Sequence, residues 1–304
     1  MGLGSGKTLL PIELQQADLA DVAQRLRLAL NQELLEYGAI VVTGIEADRF
    51  QSLVTAVTPA LMEYDYASTP RTAVEGRVYT STEYPSRMTI PLHNEMAYTT
   101  AWPNYLWFYC VRSAESGGET PICDSREVYR RIDPKVRDRF REHGVAYTRT
   151  YNTGLDVTWQ QAFATEDRLA VEAYCQRAGI DYRWEAPDVL RTRQICQSEA
   201  VHPMTGEPVW FNQAHLFHVS SLPPEVRTNL AAVVEPEDFP RNAYFGDGTP
   251  IDDAVLDDIR ALYREIQVAR PWSAGDLLLI DNLLVAHGRE PYVGERRVLV
   301  AMAQ

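Results

Sequence analysis

Short runs of β-branched and aromatic residues recur along almost the whole chain, and helical stretches fall between them in no regular alternation. The runs occupy residues 39–44, Tyr105–Arg112, 120–123, Val145–Tyr151, Val189–Cys196, 209–212, Leu277–Asp281 and 298–303, and their composition predicts strands. Helices are predicted over residues 19–37, Ser125–Arg131, Pro134–His143, 166–178, 224–234 and 252–268. In the first of these, Leu19, Val22, Leu26, Leu30 and Leu34 fall on one face, with Asp18 as a start and Gly38 as a stop. A doubly wound parallel sheet requires strand and helix to alternate, and no G-x-G-x-x-G follows a strand here. The pattern predicts an all-β core with helical insertions, closed as a barrel or jelly roll.

No repeat and no Pro/Gly/Ser-rich linker divides the 304 residues, so one domain is expected over residues 1–304, with 1–10 flexible and 151–188 an insertion or lid. The opening Gly2-Leu3-Gly4-Ser5-Gly6-Lys7-Thr8 is one residue short of a phosphate loop, and no strand precedes it. Lysine and arginine number 29 against 42 aspartates and glutamates, a net charge of −13 that opposes the phosphate-neutralising surface nucleic acid requires. Cys110, Cys123, Cys175 and Cys196 form no C-x-x-C pair, no signal peptide is apparent, and no apolar run reaches the roughly 18 residues of a membrane span. A reduced cytoplasmic setting, away from membranes, is the expectation.

Six histidines are candidates for chemistry: His93, His143, His202, His215, His218 and His287. In Leu92-His93-Asn94-Glu95, an imidazole and a carboxylate stand two residues apart, and on extended backbone they point to one side of the chain. Alone, H-x-E arises often by chance and reads as a turn histidine. A third ligand is available downstream, where Asp281-Asn282 leads to Ala286-His287-Gly288-Arg289. Two histidines and one carboxylate form a facial triad that leaves adjacent positions open on Fe(II). Arg296-Arg297 then opens the last apolar strand, and a guanidinium there suits a bidentate pair with a carboxylate.

The series His93-x-Glu95, Gly117-Gly118-Glu119-Thr120, Asp281-Asn282, Ala286-His287-Gly288-Arg289 and Arg296-Arg297 resembles the Fe(II)/2-oxoglutarate oxygenases of the taurine dioxygenase and clavaminate synthase-like superfamily. Within it the chain most resembles the syringomycin-type amino-acid hydroxylases of natural-product pathways, and the likeness runs from about Gly38 to Ala303. The resemblance implies a double-stranded β-helix of jelly-roll type and iron held by His93, Glu95 and His287. It also implies 2-oxoglutarate chelating the iron, with its distal carboxylate on Thr120 and an arginine that opens the last strand. Neighbours on a strand face opposite ways. The family pattern favours Arg296 for that role, and Arg297 stays open. With O₂ as co-substrate, such an enzyme decarboxylates 2-oxoglutarate to succinate and attacks an unactivated C–H bond. Related halogenases lack the ligating carboxylate, so Glu95 argues against halogenation.

The substrate implied is amino-acid-like, free or carried on a peptidyl carrier protein, and Arg289, Asn212 and Phe211 are candidates to meet it. Residues 126–141 carry seven cations against three acids inside an acidic chain, a patch suited either to an acidic carrier or merely to water. His215 and His218 stand at a spacing that two metal-bound imidazoles use on a helix, without an evident third ligand. Loops at residues 79–87 and 151–188 are expected to cover the barrel mouth and to set substrate choice. Desaturation or ring formation remains open as an outcome of the same hydrogen abstraction. A cupin-like binding protein without turnover, and a zinc hydrolase using the same ligands, are the rival readings from other classes.

Overall fold

Alternation of side chains along the strands decides the architecture. In Tyr105–Arg112, Leu106, Phe108 and Cys110 pack into one core cluster, while Trp107 and Tyr109 pack into another on the opposite face. Leu277–Asp281 repeats the pattern, with Leu278 and Ile280 on the first face and Leu277 and Leu279 on the second. Strands apolar on both faces must lie in the middle of a sheet covered on both sides. The computed structural model, which describes residues 10–12, 19–62, 73–81, 84–185 and 187–304, places them so.

Seven strands form the main sheet, in the order Leu10–Ile12, Ala39–Val42, Leu277–Asp281, Tyr105–Arg112, Arg297–Ala303, Val78–Thr80 and Ala73–Glu75. Its first pair is parallel and the others are antiparallel. Helices Leu19–Leu30 and Phe50–Val57 cover one face through Leu26, Phe50, Leu53 and Val54. Trp107 is fully buried there and donates its indole N–H to Thr58 Oγ1 at 3.0 Å. Burying an apolar side chain of this size contributes ~1.5–3 kcal/mol, and the hydrogen bond removes the cost of a dry indole nitrogen.

The other face of the main sheet packs on Ile122 and Val285. These belong to a three-stranded antiparallel sheet in which Val285–Arg289 lies between Ile90–His93 and Ile122–Asp124. Behind it, Leu92, Cys123 and Ala286 enter a third core cluster with Tyr147 and Phe245 of a four-stranded sheet. That sheet runs Asp181–Glu185, Val189–Cys196, Val145–Tyr151 and Arg241–Phe245. The three-stranded sheet is thus held between two larger layers, and it carries both candidate iron histidines.

Tyr105–Arg112, Val145–Tyr151, Val189–Cys196 and Leu277–Asp281 form over the residues expected, as do helices Ser125–Arg131 and Pro134–His143. The helix expected over residues 19–37 is instead two, Leu19–Leu30 and Glu33–Tyr37. Between them Asn31 and Gln32 make tighter i to i−3 bonds, and the Asn31 amide turns back to Arg27 O, a local competition that asparagine often wins over helix. Gly38 ends the second helix in the left-handed region at φ 78°, as expected, and a Cβ there would stand 2.4 Å from Val285 Cγ2. Residues 151–188 hold helices Trp159–Phe163 and Arg168–Ala178, whose Trp159, Phe163 and Val171 enter the third cluster. The glycine-rich opening at residues 2–8 and Asp18 lie outside the described residues. Among the described residues, no helix is long and apolar enough to cross a membrane.

Candidate metal centre and its anion pocket

His287 lies at the middle of Val285–Arg289 and pairs directly across the sheet with His93, the last residue of Ile90–His93. The period of two puts Val285, His287 and Arg289 on the face toward the main sheet, where Phe108 packs 5.1 Å from the His287 ring. The two imidazole centroids are 4.6 Å apart, and His287 Nε2 is 3.7 Å from a carboxylate oxygen of Glu95. One ligand atom from each of His93, Glu95 and His287 lies within 4.8 Å of the others. Glu95 and His287 are buried and His93 is half-buried. His93 Nδ1 sits 2.8 Å from Pro91 O, a contact that assigns the proton to Nδ1 and makes Nε2 the nitrogen suited to a metal.

Glu95 does not reach the site along extended backbone. The strand ends at His93, and Glu95 stands in a turn whose next residue, Met96, has φ 57°, a costly conformation for a side chain of that size. Side chains from distant segments hold the turn. Asn282 Oδ1 accepts from Glu95 N at 2.7 Å, and its Nδ2 donates to Glu95 O at 3.0 Å and to Pro103 O at 2.9 Å. Asn94 Nδ2 donates to Asn282 O at 2.6 Å, and Gln213 Nε2 donates to Asn94 O at 2.8 Å. Asn282 thus acts toward Glu95 as a neighbouring strand would. Its only signal in the sequence was its place beside Asp281, and no sequence pattern tied Gln213 to this turn. Asp281 itself ties the following turn, accepting from Leu283 N and Leu284 N and pairing with buried His202 at 3.0 Å.

Beside the triad is a pocket walled by Ser81, Phe108, Thr120, Arg289, Arg296 and Val300. Arg296 is in the wall and Arg297 is exposed, paired across the strands with Arg112. Arg296 Nε donates to Gly118 O at 2.8 Å and Nη1 to Ser81 Oγ at 3.4 Å. No carboxylate among the described residues forms an ion pair with it. Burial, and then the charge of Arg289, push its pKa down to about 10, so it is still a cation at neutral pH. Gly118, at φ 77°, gives Arg296 its room: a Cβ there would stand 2.9 Å from Arg296 Cδ. A half-buried cation without an acid, facing a pocket with a threonine hydroxyl, suits an incoming carboxylate.

The other candidates are placed differently. Arg289 lines the pocket, yet its Nη1 donates to Tyr84 O and its Nη2 to Pro85 O and Met88 O, which straps residues 84–88 against the strand of His287. Phe211 is fully buried against Trp102, and Asn212 bonds Ser198 O and Ala214 N; neither lines this pocket. His215 bonds Leu92 O and His218 bonds Ser220, and His93, Glu95 and His287 are the one potential metal-holding cluster among the described residues. In the basic stretch, Arg126 pairs with Asp124 and Glu207, Arg130 with Glu127, Arg131 with Glu265 and Arg141 with Asp138.

Known proteins resemble the chain over most of its length. Residues 5–302 match the family described as taurine catabolism dioxygenase TauD, TfdA. The dapdiamide synthesis protein DdaC of Enterobacter agglomerans is 40% identical over 276 residues, spanning 90% of this chain and 84% of that protein. A clavaminate synthase-like protein of Arabidopsis thaliana is 33% identical over 292 residues, with the same coverage of 90% and 84%. A taurine dioxygenase of Burkholderia xenovorans shares the fold, at a TM-score of 0.52 and 15% identity over 98% of this chain and 87% of that one.

Proposed function

This chain belongs to the taurine catabolism dioxygenase TauD, TfdA family, and from that premise we propose that it hydroxylates an aliphatic C–H bond of an amino acid, free or carrier-tethered, in natural-product biosynthesis. It is an Fe(II)- and 2-oxoglutarate-dependent dioxygenase, with O₂ as co-substrate. The observation that carries the reading is the meeting of His93, Glu95 and His287 beside a pocket with a half-buried arginine that no acid pairs. In this reading the sheets wind as a double-stranded β-helix of jelly-roll type, and the amino-acid hydroxylases of the syringomycin type are the relevant branch.

The donor set fits Fe(II): two imidazoles and one carboxylate would hold the metal and leave it room for an organic chelator and O₂. When bound, iron with 2-oxoglutarate and O₂ supplies the power to remove hydrogen from an unactivated carbon, releasing succinate and CO₂. The chain's residues do the remainder. His93, fixed through Pro91 O, and His287 would hold the metal with Glu95, whose backbone Asn282 clamps. Arg296 and Thr120 receive the distal carboxylate, and Arg289 holds residues 84–88 in place beside the pocket. Glu95, as a carboxylate that would ligate the metal, argues against halogenation. The link to natural products is supported by the 40% identity to a dapdiamide synthesis protein. An acidic carrier meeting residues 126–141 would compete with acids already paired there.

Anaerobic addition of Fe(II) and 2-oxoglutarate is expected to produce a weak visible charge-transfer band, and His93→Ala is expected to abolish both the band and succinate release. Absence of the band in the unaltered protein would overturn the assignment. Screening free against carrier-loaded amino acids for succinate release, with the product's mass, then separates hydroxylation from desaturation or ring formation.

A further inference from the structure

Two cavities meet at a single hydrogen bond. Thr120 belongs to the wall of the anion pocket and also to the wall of a second cavity lined by Val41, Ile122, Val268, Ala269, Trp272 and Leu278, with Arg270 at its edge. Trp272 donates its indole N–H to Thr120 Oγ1 at 3.1 Å. A hydroxyl has one proton and two lone pairs, so an oxygen that accepts from the indole keeps its proton for another acceptor. Thr120 donates that proton to no acceptor among the described residues, although the residue is buried. The indole is itself held: Asp276, nearly fully buried, accepts from Ser273 N at 2.9 Å and from Arg270 Nη1 at 2.8 Å, bracing the turn on both sides of Trp272.

We propose that Trp272 is a positioning residue for the 2-oxo diacid, holding the Thr120 hydroxyl as a donor to the carboxylate that Arg296 receives. This rests on the assignment of that pocket to 2-oxoglutarate. On the pocket's side of the Thr120–Trp272 pair the carboxylate meets a cation and a poised O–H. Beyond the pair it would meet apolar wall and an arginine already committed to Asp276. The pair therefore marks the end of the diacid site as well as tuning its affinity.

The test is a double-mutant cycle on the Fe(II)-loaded protein under anaerobic conditions, reading the 2-oxoglutarate dissociation constant by titration. Trp272→Phe keeps the ring and removes the donor, and is expected to weaken 2-oxoglutarate about tenfold, the scale of one hydrogen bond to a charged system. Thr120→Val is expected to weaken it at least as much, and adding Trp272→Phe to Thr120→Val to cost nothing further. Thr120→Ser, which keeps a hydroxyl, should keep the dependence on Trp272. Affinity for Fe(II) alone should not move in any of these variants, whereas a general loss of structure would lower it too. If Trp272→Phe binds 2-oxoglutarate as tightly as the unaltered chain, or if its effect persists in full on Thr120→Val, the inference fails while the functional assignment stands. If the unaltered chain binds no 2-oxoglutarate, the assignment fails first.

Discussion

Arg296 and Arg297 are chemically identical neighbours, and only their surroundings separate them. Arg296 is enclosed beside Gly118 and Ser81, whereas Arg297 faces solvent. Arg296→Gln is therefore expected to weaken 2-oxoglutarate by two orders of magnitude or so, the scale of a lost charge-assisted pair, and Arg297→Gln by less than about threefold, both read by the same titration. Asn282 touches no open position of the site, yet it fixes the backbone of a ligand. Asn282→Ala is expected to cost about 10–100-fold in Fe(II) affinity, the range found when residues behind metal ligands are removed. His215 and His218 bear on pH. Burial pushes the pKa of each down to about 4, in His218 against the pull of Asp253. An unfolded imidazole titrates near 6.5, so between roughly pH 6.5 and 4 the unfolded chain binds protons the folded chain does not, and stability drops as pH falls through that window. Thermal midpoints measured from pH 7 to 4.5 should show the decline, and His215→Gln with His218→Gln should flatten it.

At the scale of elements, the three-stranded sheet was the least legible part of the chain, although it carries both histidines. Val285–Arg289 was not expected as a strand, because its histidine and arginine face inward and erase the alternation of apolar and polar residues that betrays a half-buried strand. Ile90–His93 is short and holds Pro91, which likewise weakens its signal. Helix Phe50–Val57 was missed too; it is only two turns long, and its stability comes from Phe50, Leu53 and Val54 against the main sheet. The Gly117-Gly118 turn, by contrast, was visible as a motif, and the structure supplies its reason: both residues have positive φ, and Gly118 makes room for Arg296. Gly118→Ala is expected to cost ~1–2 kcal/mol of stability through backbone strain, visible as a lower thermal midpoint, and to weaken 2-oxoglutarate more than it weakens Fe(II).

For the whole molecule, one metal ion would join a residue near the end of the first third of the chain to one seventeen positions from its end. We expect a single cooperative unfolding transition, and a rise in its midpoint when Fe(II) and 2-oxoglutarate are present, since a ligand at a hundred times its dissociation constant adds about 2.7 kcal/mol. Two separated calorimetric transitions would contradict this. The sequence by itself determined the chemistry: His93, Glu95 and His287 are identifiable as ligand types in order, and the apolar strands that must be buried on both faces announce a layered β core. Only the tertiary structure decided which arginine enters the pocket, how Glu95 reaches the histidines from a strained turn, and that Trp272 stands behind Thr120. The physical reason is distance along the chain. Ligand identity and strand periodicity are local and survive in a linear reading, whereas Asn282 against Glu95 and Trp272 against Thr120 are contacts between residues 187 and 152 positions apart, fixed by packing that no local pattern encodes.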